Sequence, residues 1–131
     1  IAIEKEAKHL RNYVELQKAR SNDNLEVALD ISYADSGVKV APLIFMTFVE
    51  NAFKYASRAD KTINRIVISL KQTQGKISFE CTNTYDEGES STGGIGLTNA
   101  TRRLELLYKG RYHLNIQNEN NIYKVQLILS L

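Results

Sequence analysis

Residues 42–56, Pro42-Leu-Ile-Phe-Met-Thr-Phe-Val-Glu-Asn-Ala-Phe-Lys-Tyr-Ala56, decide how the rest of the chain is read. Wound at about 100° per residue, the stretch gathers Thr47, Glu50, Asn51 and Lys54 into one narrow arc, joined only by Leu43 of the first turn. Ile44, Phe45, Met46, Phe48, Val49, Ala52, Phe53, Tyr55 and Ala56 cover the remainder, a wider apolar surface than the stripe of an ordinary surface helix. The sequence therefore predicts a mostly buried helix, opened by Pro42 at a position where its missing N–H does no harm. A carboxylate, a carboxamide and an ammonium in one row of such a helix need something polar opposite them, because an unpaired charge in an apolar interior is very costly. The row reads either as one wall of a pocket or as an exposed i,i+4 ion pair between Glu50 and Lys54, which would stabilise the helix by only a few tenths of a kcal/mol.

Upstream, Ile3, Ala7, Leu10, Tyr13, Val14 and Leu16 set against Glu4, Lys5, Lys8, Arg11 and Lys18 predict an amphipathic helix over 3–20, ended by Ser21-Asn-Asp-Asn24. Leu25, Val27, Leu29 and Ile31 alternate with Glu26, Ala28 and Asp30, the pattern of a half-buried strand. A turn over Tyr33 to Gly37 and a short extended piece over Val38 to Val40 lead into Pro42. Downstream, a polar loop from Ser57 to Thr62 precedes Ile66, Ile68 and Leu70, then a Gln-Gly turn and Ile77, Phe79 and Cys81, which together predict a hairpin. Asn83 to Gly94 is polar and poor in apolar residues, so a mobile loop is expected there. Leu97, Ala100, Leu104 and Leu107 restore helical spacing until Lys109-Gly110. A last hairpin pairs Leu114 and Ile116 with Tyr123, Val125, Leu127 and Leu129 across Asn118 to Asn121. The expected fold is a two-layer α/β sandwich, with a mixed, mostly antiparallel sheet covered on one face by three helices.

At 131 residues there is room for one core, and 43% apolar residues is ordinary for a globular domain. A net charge of +2 from 17 basic and 15 acidic residues makes no one-signed field, so nucleic-acid binding has no compositional support. A lone cysteine, Cys81, forms no internal disulfide and fits a reducing compartment as a small core residue. No apolar run approaches the ~20 residues that cross a bilayer. The first residues already read as helix without a start methionine, so the chain is expected to be cut from something longer, with 1–22 the tail of a linker or dimerisation helix and 23–131 the domain proper.

Gly93-Gly94-Ile95-Gly96-Leu97 marks the change from loop to helix. Such a corner presents free N–H groups and the positive end of a helix dipole to an anion, and glycine lets backbone approach phosphate oxygens closely. Alone it reads first as a glycine hinge before a helix cap. Following a Glu-Asn-x-x-Lys row by about 40 residues, it supplies the second half of a nucleotide site.

Glu50-Asn51-Ala52-Phe53-Lys54-Tyr55 resembles the N box, and Gly94-Ile-Gly-Leu97 the second glycine box, of the GHKL superfamily: sensor histidine kinases, type II topoisomerases, Hsp90 chaperones and MutL proteins. Asn12 to Gln17 with Arg20, Val40-Ala-Pro-Leu43 and Gly94 to Tyr108 further resemble LytS/YehU-type sensor kinases. The resemblance implies a Bergerat-type ATP-binding fold that presents Mg-ATP to a histidine outside this segment. On it, Asn51 would bind Mg²⁺, Glu50 would act as base or orienting group, and Lys54 would neutralise phosphate. Tyr55 would stack on adenine or else serve as a core aromatic. Gly94, Gly96 and Leu97 would line the phosphates. Most members place an aspartate against the adenine amino group where this chain has Asn83, whose carboxamide oxygen can accept the same bond without charge. Arg103 would contact phosphate or remain a solvated surface residue, and Asn99 would cap or face water. The acidic stretch from Thr84 to Gly93, with Asp86, Glu87 and Glu89, would be a lid, disordered or open without nucleotide. His9 and His113 do not match the phosphoacceptor. The implied partners are ATP, an upstream dimerisation and phosphoacceptor segment, a LytTR-type response regulator and a second copy of the full protein, with the domain on the cytoplasmic side of a membrane protein. Other readings within the resemblance are an ATPase, a serine kinase, or an inactive nucleotide-sensing module.

Overall fold

The computed structural model describes residues 1–21, 23–35, 37–56, 63–86 and 94–131. Its elements are α1 (Ile3–Arg20), β1 (Leu25–Tyr33), α2 (Met46–Ala56), β2 (Asn64–Thr73), β3 (Lys76–Thr84), α3 (Gly94–Tyr108), β4 (Tyr112–Glu119) and β5 (Ile122–Ser130). The strands form one sheet in the order β1-β2-β3-β5-β4. Only β1 and β2 run parallel, because α2 crosses over between them, and the remaining pairs are antiparallel. This is the two-layer sandwich the sequence predicts.

Period-two alternation decides which face of the sheet is covered. Ile66, Ile68 and Leu70 of β2, Ile77, Phe79 and Cys81 of β3, and Tyr123, Val125, Leu127 and Leu129 of β5 point into one core with Ile3, Leu10 and Val14 of α1, Phe48, Val49, Ala52 and Phe53 of α2, and Ala100 and Leu104 of α3. Phe45 stacks on Phe79 at 4.9 Å between ring centres, which seats the start of α2 on β3. The opposite face carries alternating polar residues, with ion pairs between Arg65 and Glu26 and between Lys124 and Glu80. Both hairpins turn on backbone in the left-handed region: Gly75 between β2 and β3, and Asn120-Asn121 between β4 and β5, a pair suited to a type I′ turn. Among the described residues no helix is long and apolar enough to cross a membrane.

Three expectations need correction. Pro42 does not open the central helix. Residues 42–45 form a turn with Leu43 at φ 60°, and the helix begins at Met46, its first turn closed by the Phe48 and Val49 N–H groups on the Phe45 carbonyl. Leu16 of α1 is 50% exposed, and Leu107 of α3 is 47% exposed while Tyr108 is buried in its place. The buried face of α1 ends at Val14, and the 3.6-residue period carries the buried face of α3 from Leu104 to Tyr108. Thr84 belongs to β3, so the acidic stretch starts after it; residues 87–93 of that lid, with Glu87, Glu89 and Gly93, lie outside the described residues.

Candidate nucleotide-binding site

Helix α2 lies over β3 and β2 with Phe48, Val49, Ala52, Phe53 and Ala56 buried, which turns Thr47, Glu50, Asn51 and Lys54 outward. Glu50 and Lys54 are exposed and Thr47 and Asn51 half-buried. The i,i+4 ion pair does not form. Lys54 Nζ instead sits 5.4 Å from the centre of the Tyr55 ring. The Asn51 carboxamide hydrogen-bonds to none of the described residues. Glu50 faces Tyr13 of α1, whose ring meets Phe53 edge-on at 5.8 Å; burial first, and the Glu50 charge second, push the Tyr13 phenol above its ordinary value. Among the described residues, neither the Glu50 carboxylate nor the Asn51 carboxamide makes a side-chain hydrogen bond or ion pair.

Asn83 ends the inward row of β3 after Ile77, Phe79 and Cys81, and is 3% exposed. Its Nδ2 donates to the Thr84 carbonyl at 3.0 Å, so the amide is oriented with Oδ1 left as the acceptor. In register, Asn83 stands between Ile66 and Tyr123. Tyr123 packs edge-on against Tyr85 at 6.4 Å, and its phenol is raised by burial, then by Tyr55 and Cys81 nearby. Tyr55, Asn83 and Tyr123 thus form an aromatic and amide floor beside α2. Tyr55 is half-buried against the core.

The glycine corner is the first turn of α3, which starts at Gly94. Helix α3 packs beside α2, with Leu97 against the core and Ala100 and Leu104 buried. Arg103 does not face the α2 row: its Nη2 donates to the Pro42 carbonyl at 2.8 Å, a bond within the fold. Asn99 is exposed.

No family model matches the chain. It is 28% identical over 142 residues to the sensor protein LytS of Streptococcus agalactiae, covering 95% of this chain and 24% of LytS. With the sensor histidine kinase YesM of Bacillus subtilis it shares 30% identity over 129 residues, 92% of this chain and 22% of YesM. The nucleotide-free catalytic domain of histidine kinase ThkA superposes with a TM-score of 0.65 at 10% identity, over 99% of this chain and 94% of that one. Over nearly its whole length the chain is similar to one segment of these sensor kinases, and it shares the fold of a histidine-kinase catalytic domain.

It spans about a quarter of the length of the sensor proteins it matches. The Asn51 carboxamide oxygen is a neutral donor of the kind a hard cation such as Mg²⁺ accepts. Among the described residues no cluster of three His, Cys, Asp or Glu side chains forms an all-protein metal cage. A groove of about 340 Å³ between Lys71, Glu80, His113 and Gln126 lies on the polar face of the sheet, away from the α2 row. Sequence reasoning missed Tyr123 as part of the floor and Tyr85 as its neighbour. The parity of β5 points Tyr123 inward, but only strand order places it beside Asn83.

Proposed function

We propose that the chain is the ATP-binding catalytic domain of a two-component sensor histidine kinase, presenting Mg-ATP to a histidine on another segment. The observation that carries this reading is the uncommitted Glu50 and Asn51 pair on α2, beside a buried carboxamide at the end of β3. Asn83 Oδ1 accepts from the adenine amino group, with Tyr55 against the base. Asn51 supplies an oxygen ligand, and Lys54, Gly94, Gly96 and Leu97 hold the phosphates. When bound, Mg²⁺ neutralises charge on the triphosphate. Glu50 draws the proton from the attacking imidazole or orients the ring, so its loss is felt in transfer rather than in binding. His9 and His113 are both exposed, on α1 and on the polar sheet face, and neither takes part.

The remaining assignments follow the same reading. Residues 1–22 are the tail of a linker or dimerisation helix that packs into the core of the catalytic domain, 23–131, and the full protein is a membrane-linked homodimer with the domain in the cytoplasm, passing phosphate to a LytTR-type response regulator. The test is titration of the chain with ATP and Mg²⁺. Binding is expected, with Asn51→Ala at least tenfold weaker in the presence of Mg²⁺. Absence of binding at millimolar ATP would remove the reading, and equal affinities would remove Asn51 from the metal.

A further inference from the structure

Three consecutive residues ahead of α2, Ala41, Pro42 and Leu43, each have a backbone group held by a side chain from one of the other two helices. The Ala41 N–H donates to the Tyr108 hydroxyl at 2.9 Å, the Pro42 carbonyl accepts from Arg103 at 2.8 Å, and the Leu43 N–H donates to Glu6 Oε2 at 3.1 Å. Leu43 stands at φ 60°, a region that is sterically costly for a residue with a Cβ. Its side chain is 46% exposed, so burial does not hold it there.

Glu6 is the unusual member of the set. It is 0% exposed, and its second oxygen, Oε1, has no hydrogen-bond partner among the described residues. Burying a carboxylate with half of its acceptor capacity unused is expensive, and an apolar side chain would fill the space on α1 at lower cost. What Glu6 supplies and a leucine would not is an acceptor for the Leu43 N–H, which the left-handed turn leaves outside any helical ladder. The turn hands directly to Phe45 and Met46, one turn before Glu50 and Asn51.

We propose that Glu6 is a positioning residue for the nucleotide site. By holding Leu43 in its left-handed turn, it fixes where α2 starts and which way the α2 row points, and so ties the position of α1 to that of Glu50 and Asn51. Arg103 makes the matching tie from α3, nine residues or roughly 13 Å along the axis from the glycine start of that helix. The inference rests on the nucleotide-binding reading for its consequence, though the clamp itself is testable without ligand.

The experiment is a double-substitution cycle on the chain, read by Mg-ATP titration and by amide exchange of Phe48 and Val49, which close the first turn of α2. Glu6→Leu is expected to weaken Mg-ATP binding about tenfold and to speed exchange at both amides. Glu6→Gln keeps an acceptor and retains most of the affinity. Because glycine adopts positive φ without strain, Leu43→Gly in the Glu6→Leu background is expected to restore most of the affinity and protection. A mere space-filling role for Glu6 gives no such rescue, and a double variant as weak as Glu6→Leu overturns the proposal. Should Glu6→Leu fail to fold, recovery of folding in the double variant supports the proposal and continued failure overturns it. A wild-type chain that binds no ATP sinks the functional reading instead, while the exchange data still decide the clamp.

Discussion

Asn83 serves the fold and the proposed ligand in ways that pull apart on substitution. Its amide nitrogen is committed to the Thr84 carbonyl, and its oxygen is the acceptor we propose for adenine. Asn83→Asp removes the donor and sets a carboxylate against that carbonyl, which should cost about 1–3 kcal/mol of stability. An ionised acceptor makes the stronger bond to an amino group, so Mg-ATP affinity should rise roughly three- to tenfold. Thermal unfolding and titration of the same variant check both signs, and a fall in affinity would remove Asn83 from adenine recognition. For Glu50→Gln the split lies elsewhere: ATP affinity is expected to hold within about threefold while phosphotransfer in the full-length protein falls by about 100-fold or more. Equal losses in both would make Glu50 a binding residue. Glu50, Asn51 and Lys54 were legible because a helical period alone puts them on one face. Leu43 was not, since its left-handed turn meets an acceptor on α1 and a donor on α3 that no local pattern announces.

Among the elements, α1 shows what an amphipathic reading does and does not fix. Leu10 and Leu16 both belong to its apolar spacing, yet Leu10 is fully buried and Leu16 is 50% exposed. Leu10→Ala should therefore cost about 2–5 kcal/mol and Leu16→Ala no more than about 0.5 kcal/mol in urea unfolding. Similar costs would mean that α1 does not sit on the sheet as described. The five strands and three helices among the described residues were readable from periodicity, because alternation and 3.6-residue spacing are properties of the segment itself. Where α2 begins was not, because Pro42 is a good first helical residue and only tertiary contacts exclude it. The β4–β5 turn offers the reverse case, a local rule that the chain follows incompletely. Asn121 stands at φ 63° with its side-chain oxygen buried and without a hydrogen-bond partner among the described residues. Asn121→Gly gives the turn its preferred Asn-Gly pair and removes the orphaned acceptor, so a gain of about 0.5–1 kcal/mol is expected in the same unfolding assay. A loss would show that the amide contributes a contact worth more than the turn preference.

One core runs from Ile3 on α1 through Cys81 on β3 to Leu129 on β5, so ionisation at any point in it bears on the folding of the entire chain. Cys81 lies near the centre of that core, and burial pushes its thiol up from 9.0 to about 12. Tyr13 and Tyr123 are raised as well, both chiefly by burial. In the unfolded chain the thiol loses its proton near pH 9, whereas the folded chain retains it to about 12. Above pH 9 the unfolded state therefore binds fewer protons than the native one, and stability must fall as pH rises. The thiol's contribution is intact below pH 9 and is progressively lost up to pH 12, by as much as about 4 kcal/mol for a shift of three units. Cys81→Val removes this titration while keeping an apolar side chain of similar size. The stability difference between wild type and variant, measured by urea unfolding from pH 7 to 11, should be flat to about pH 9 and then move steadily against the wild type. Parallel curves across that range would mean that water reaches Cys81 in the native state, and that the sheet beneath α2 is more open than its packing with Phe45, Phe48 and Phe79 implies.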